Sequence, residues 1–203
     1  EPASDQCAMA SAALSLMYLN YQDIDAEYAD RCLESAIALY EFAREYRGFG
    51  KGDGFYPSGS YCDDLTWAAT WLYVITEDMI YIDHINAVDE SGNYVGYMSD
   101  IIDSTEDNWN NSWTHCWDAV WGGAFTKLAT VLPENEQFDY FAHWNLAYWT
   151  GGEAPHKDPA DTNYMVPSPA GYACINSWGS ARYNTAAQLL CLVYQKYNPE
   201  KTK

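Results

Sequence analysis

Basic residues are scarce: 10 Lys plus Arg stand against 29 Asp plus Glu, a formal net charge of −19 over 203 residues. Recognition of phosphate depends on clustered Lys and Arg, so a nucleic-acid partner and an anionic membrane surface are excluded. A neutral ligand or a cation suits such a surface better. No apolar run approaches transmembrane length, and no signal-peptide pattern follows Glu1. Alternation of strand type over five or more residues is also missing. The six cysteines, Cys7, Cys32, Cys62, Cys116, Cys174 and Cys191, form no C-x-x-C pair and no zinc-ligand spacing. Three disulfides and buried free thiols are both compatible with that count, which leaves the redox compartment open.

What is abundant points to a folded, helical chain. Hydrophobic residues make up 48%, enough for one domain with a core, and no linker divides positions 1–203. Nine Trp and eighteen Tyr exclude an acidic disordered chain, since such chains are poor in aromatics. Apolar periodicity predicts helices over 4–20, 25–47, 63–76 and 78–89, then from about Asp118, over 134–149 and over 179–197. Ser4 or Asp5 is available to cap the first helix and Asp25 the second. The expected buried faces are Leu33, Ile37 and Tyr40; Leu65, Ala69 and Leu72; Val120, Ala124 and Leu128; Phe138, Phe141 and Leu146; and Ala186, Leu189, Leu190 and Val193. Antiparallel helices around a common core predict an all-α architecture, either an α/α toroid or an irregular bundle. The long loops 51–61, 105–116 and 164–178 are expected to gather on one face.

Three segments at loop–helix junctions carry possible chemistry. The first, F-Y-P-S-G-S-Y-C-D-D-L-x-W (55–67), sets Asp63 and Asp64 side by side at a helix start, after the small Ser58-Gly59-Ser60 turn. One reading is capping, in which carboxylates satisfy orphan N–H groups and complement the helix dipole. The other is a hard-cation site built from two carboxylates and turn carbonyls. The second segment, W-T-H-C-W-D (113–118), falls within a series of Trp at 109, 113, 117 and 121, one face of a helix if helical. A core stripe is expected for Trp117 and Trp121. Four indoles within thirteen residues exceed packing needs, so cleft-lining indoles are also expected, since sugar C–H faces stack on them. His115 reads as a hydrogen-bonded scaffold residue rather than a metal ligand. The third segment is N-S-W-G-S-A-R-Y (176–183), with Trp178 on a loop and Arg182 and Tyr183 about one turn into the next helix. Arg182 is one of only four Arg, and its fork suits sugar hydroxyls or a structural carboxylate equally.

Together the blocks S-Y-C-D-D-L-x-W-A-A-x-W-L-Y, W-T-H-C-W-D-x-V-W-G-G and S-W-G-S-A-R-Y-N-T-A-A resemble family-nine cellulases, in order and at sensible spacing. The segment Y-A-D-R-C-L-x-x-A-x-x-L-Y-E-F-A is similar to the family region before them, so the resemblance covers nearly the whole chain. It implies an (α/α)6 barrel, of which this chain is the middle part, and secreted hydrolysis of β-1,4-glucan with inversion. It implies a structural calcium ion held by Asp63, Asp64 and Asp118 with carbonyls of Gly59 and Ser60, which favours the cation reading over capping. It implies contacts to β-glucan or cello-oligosaccharide at Tyr56, Trp113, Trp178, Arg182 and Tyr183. The turn before the carboxylates lacks the Trp often found there, and P-S-P-A-G (167–171) replaces the family's P-G-G loop.

The family's catalytic carboxylates lie in D-A-G-D and N-E-x-x-x-D-Y-N motifs, beside an H-H-R substrate motif, and none of these occurs here. Asn135-Glu136 lacks the D-Y-N that should follow. Inversion needs two carboxyls roughly 6.5–9.5 Å apart across the scissile bond, and no pair qualifies. The expectation is thus a portion of a glycoside hydrolase catalytic domain spanning 1–203, inactive by itself, with no catalytic residue of its own. A non-catalytic carbohydrate-binding protein is the alternative. An α/α-barrel enzyme for uronic-acid oligosaccharides would require more basic residues than this chain has.

Overall fold

The structure, a computed structural model, describes residues 1–52, 54–101, 115–150, 168–173 and 179–201, without the side chains at 144, 147, 148 and 150. Seven α-helices and one 3₁₀ turn are found among the described residues, and no strand, only an isolated antiparallel bridge between Val88 and Tyr94. The chain divides into two compact units, Glu1–Trp109 and Asn110–Lys203.

The first unit opens with α1 (Ser4–Tyr21), but neither expected capping residue caps it. Both are engaged with the end of the second helix and the loop after it instead. Ser4 Oγ donates to the Ala43 carbonyl (2.8 Å) and accepts from the Gly48 N–H (3.1 Å), while Asp5 Oδ1 accepts from the Gly50 N–H (2.8 Å). A tertiary partner has displaced the local one. Helix α2 (Ala26–Glu45) is capped as expected, with Asp25 Oδ1 accepting from the Tyr28 N–H at 3.0 Å.

The buried face of α2 is rotated from the expected one. Tyr40 is fully buried, but Leu33 and Ile37 are only half-buried, and the core row is Ala29, Cys32, Ala36, Tyr40 and Ala43. Opposite stands a matching row on α1: Ala8, Ser11, Ala12 and Ser15. Small side chains on both faces let the backbones approach closely, and Ser11 Oγ reaches across to the Ala36 carbonyl at 2.7 Å. Close packing of this kind outweighs the larger area that Leu33 and Ile37 offer.

Helix α3 (Cys62–Thr76) buries Leu65, Ala69 and Leu72 as expected. Its buried threonines satisfy themselves: Thr66 donates to the Cys62 carbonyl and Thr70 to the Thr66 carbonyl, each at 2.7 Å. Helix α4 (Ile80–Asn86) ends earlier than the predicted 78–89, because Ala87 turns extended and Asp89 starts a tight turn. Asp89 Oδ1 accepts from the N–H groups of Ser91 (2.8 Å) and Asn93 (2.9 Å). The chain then passes Gly96 into the 3₁₀ turn Tyr97–Asp100.

That turn is held by a hydrogen-bonded chain. Tyr40 Oη lies 2.8 Å from His84 Nδ1 and 2.9 Å from Tyr97 Oη. Burial, with Arg44 and to a smaller extent Arg47 nearby, lowers the His84 pKa from its ordinary 6.5; Glu41 and Asp83 oppose the shift. A base with a depressed folded pKa binds fewer protons in the native state than in the unfolded one. Stability is therefore full above pH 6.5 and falls as pH drops toward the folded pKa. Thermal melts should decline over that acid window, and His84→Gln should flatten the decline attributable to this site; an unchanged slope would exclude His84 as its source.

In the second unit α5 (Trp121–Val131) begins three residues later than expected, after a bend closed by the Cys116 N–H on the Ala119 carbonyl (2.8 Å). The expected Val120, Ala124 and Leu128 are buried. Helix α6 (Glu136–Thr150) is capped by Asn135, whose Oδ1 accepts from Gln137 (3.1 Å) and Phe138 (3.2 Å). Phe138, Phe141 and Leu146 are buried as expected, and Phe125 packs on Phe141 with centroids 5.1 Å apart. Helix α7 (Ser180–Tyr197) again shows a shifted face: Ala187, Leu190 and Tyr194 are buried, Ala186 and Val193 half-buried and Leu189 exposed. Tyr194 decides that rotation, since its Oη donates to Asp139 Oδ1 on α6 at 2.6 Å. Among the described cysteines Cys7, Cys32, Cys62, Cys116 and Cys191 are free thiols. Cys174 lies outside the described residues.

Candidate functional site

The loop before α3 presents Phe55 and Tyr56, which are 80% and 70% exposed, and then folds into a turn that its own side chains lock. Ser58 Oγ donates to the Ser60 carbonyl at 2.6 Å. Ser60 Oγ accepts from the Cys62 N–H (3.0 Å) and donates to Asp100 Oδ2 (2.7 Å). Serine thus supplies the first N–H of α3 with an acceptor, although the cap position itself belongs to Tyr61, which makes no side-chain cap. Tyr61 instead packs edge-on against Phe49 (5.2 Å).

Asp63 and Asp64 occupy the first turn of α3 and are only 1% and 7% exposed. Surface caps do not require that burial. Two adjacent carboxylates removed from water need compensation, and the positive end of the helix dipole supplies part of it. Burial, followed by the Asp100 carboxylate, pushes the Cys62 thiol up to about 11; Asp63 adds to the rise, and Arg47 opposes it. Asp63, Asp64 and, through Ser60, Asp100 bring three acidic side chains to this turn. With the Gly59 and Ser60 carbonyls the donors are all hard oxygens, a set that fits calcium and does not favour a soft metal. Among the described residues no group of three or more His, Cys, Asp or Glu stands close enough together to hold a metal ion.

Asp118, Arg182 and Tyr183 belong to the second unit. Asp118 sits in the bend before α5, next to Trp117. Trp117 was expected in the core; it is 51% exposed, because the bend breaks the helix that would have carried it inward. Trp121 is in the core as expected, stacked on Phe125 at 5.6 Å. His115 is half-buried: desolvation lowers its pKa, and its hydrogen bond to the Val120 backbone partly offsets the shift. Gly123 leaves the notch it fills, since a Cβ there would collide with His115 Nδ1.

Arg182 is exposed and folds over Tyr183, with Nη2 donating to Tyr183 Oη at 2.6 Å and Cζ 4.6 Å from the ring centroid. Gly179, at φ 69°, carries the chain in left-handed conformation past that guanidinium. Charge, donors and an aromatic ring thus stand together at the start of α7. Trp113 and Trp178, the other expected sugar contacts, lie outside the described residues, as do 105–114, 164–167 and 174–177 of the loops expected to converge. Asp100 was not among the expected site residues. It lies 36 positions beyond Asp64 with no motif around it, and only the fold brings it to Ser60.

Endoglucanase 4 of Bacillus sp. (strain KSM-522) is 30% identical over 100% of this chain and 30% of its own length. Endoglucanase B of Cellulomonas fimi is 31% identical over 100% of this chain and 18% of its own. The chain thus spans less than a third of the length of these relatives. Among solved structures, the cellulase Cel9M of C. cellulolyticum superposes with a TM-score of 0.75 at 34% identity, covering 98% of this chain and 40% of that one. The endoglucanase CelQ of Clostridium thermocellum complexed with cellotetraose gives 0.75 at 28% identity, covering 96% and 30%. The all-α architecture is accordingly that of an (α/α)6 barrel, in part. The Glycosyl hydrolase family 9 profile matches residues 1–203 from end to end, and with helices, motif order and solved relatives in agreement the chain belongs to that family.

Proposed function

We propose that this chain is part of a secreted endo-β-1,4-glucanase that hydrolyses cellulose or a related β-glucan with inversion. The observation that carries the reading is the buried Asp63–Asp64 pair behind a locked oxygen-rich turn, set within the ordered blocks of family 9. Solved relatives hold cellobiose, cellotriose and cellotetraose, which supports a cello-oligosaccharide as ligand. Tyr56, Arg182 and Tyr183, with Trp113 and Trp178, would contact the glucan by stacking and by hydrogen bonds to hydroxyls.

Calcium is the structural cation of the proposal. Asp63 and Asp64 with the Gly59 and Ser60 carbonyls would hold it, and Asp118 enters by family resemblance. Bound there, the ion would neutralise the carboxylates and stiffen the turn. The chain's own part in the reaction is to bind and orient glucan; the acid and base of an inverting hydrolysis are not among its residues.

The second reading is a non-catalytic carbohydrate-binding protein of the same fold; the D-A-G-D and N-E-x-x-x-D-Y-N motifs do not occur within residues 1–203. Flanking genomic sequence separates the two, because those motifs upstream and downstream mark an enzyme. In either case the 203-residue chain should release no reducing ends from carboxymethylcellulose above a buffer blank. Release that co-purifies with the chain through successive columns would show that an acid and a base have been overlooked in it.

A further inference from the structure

We propose that Asp100 is a positioning residue for the carboxylate turn, acting through Ser60 to hold the turn in the shape that receives a cation. This rests on the cation reading above for its purpose, though not for its geometry. Ser60 has one hydroxyl proton, and it is directed at Asp100 Oδ2 over 2.7 Å. With the proton committed, a lone pair of the same oxygen is left to meet the Cys62 N–H at 3.0 Å. The orientation of one hydroxyl thereby ties the first peptide of α3 to the end of a distant 3₁₀ turn. The Ser60 carbonyl, one of the proposed cation ligands, is fixed from the other side by Ser58 Oγ at 2.6 Å.

Asp100 can serve as a brace because its own base is rigid. The turn Tyr97–Asp100 is rooted at Tyr97, which is buried, hydrogen-bonded to Tyr40 Oη at 2.9 Å and covered by the Arg47 guanidinium at 5.6 Å from its ring. At the other end the acceptor is a carboxylate oxygen, which takes the Ser60 hydroxyl at 2.7 Å. Asp100 is exposed and touches the turn at Ser60, not at Asp63 or Asp64, so its role is to aim the ligands rather than to add one.

The test uses the full chain with two readouts. Hydrogen exchange without calcium reports the brace alone: Asp100→Ala should speed exchange at the Cys62 amide several-fold, and Asp100→Asn, which keeps an acceptor oxygen, should restore most of the protection. Unchanged Cys62 protection in Asp100→Ala overturns the proposal. Calorimetric titration with calcium chloride reports the purpose: Asp100→Ala and Ser60→Ala should each weaken affinity about tenfold, and the double variant no further, as expected for one shared hydrogen bond. Additive losses, or wild-type affinity in Asp100→Ala, also overturn it. Absence of calcium binding by the wild-type chain would defeat the cation reading and with it the purpose assigned to Asp100, while the exchange result alone still decides whether Asp100 holds the turn.

Discussion

Calcium at a hundred or more times its dissociation constant should raise the melting temperature by roughly 6–12 °C. Binding to the native state alone contributes about 3 kcal/mol at that excess. A domain of this size shifts by about 2–4 °C per kcal/mol. The effect is expected to be large because Asp63 and Asp64 are nearly inaccessible to water and stand in a turn that Asp100 makes still more negative. A cation relieves that repulsion directly. Asp63→Asn and Asp64→Asn should each remove most of the gain, with Leu65 and the rest of the α3 core left in place. Melts with calcium and with a chelator are the measurement. Coincident curves would return Asp63 and Asp64 to the role of buried helix-terminal carboxylates.

Gly96→Ala should lower the stability of the first unit by about 3 kcal/mol, the upper range for overpacking. A Cβ at this position would stand 2.5 Å from the Ile85 carbonyl oxygen, 2.8 Å from the His84 carbonyl oxygen and 2.8 Å from the Ala87 nitrogen. All three are backbone atoms at the end of α4, which cannot swing aside as a side chain can. The Val95 and Gly96 N–H groups both donate to the Ala87 carbonyl, at 2.8 and 3.1 Å, so relief by displacement also strains those bonds. Urea unfolding gives the loss directly. A midpoint within error of wild type would mean that the α4 terminus yields to the added methyl group.

Helix existence was legible wherever apolar residues recur at helical spacing over three or more turns, as in α2, α3 and α6. The faces of α2 and α7 were less so. Hydropathy ranks Leu33 and Ile37 above Ala36, but interhelical contact rewards shape, and alanines opposite alanines and serines bring backbones closer. In α7 a tyrosine won a core place from Leu189 because Asp139 offers its hydroxyl a partner, which hydropathy cannot register. Of the site, the turn and its paired carboxylates were visible as adjacent small and acidic residues. The burial of those carboxylates was not, since it depends on what packs around α3. Asp100 was beyond reach for the same reason: its partner is chosen by tertiary contact across 40 positions. Trp117 shows the opposite failure, a periodic pattern running through a bend where no helix exists to express it.

The threonines of α3 have a further effect. Thr66, Thr70 and Thr76 each return their hydroxyl proton to a carbonyl four residues back, at 2.7–2.8 Å. Thr66 and Thr70, both fully buried, consequently present methyl groups to their surroundings, while Thr76 closes the exposed end of the helix. These two hydroxyls have no partner on another helix to lose when a neighbour is exchanged or slides by a fraction of a turn. Changes in what packs against Thr66 and Thr70 can therefore be met there by repacking alone.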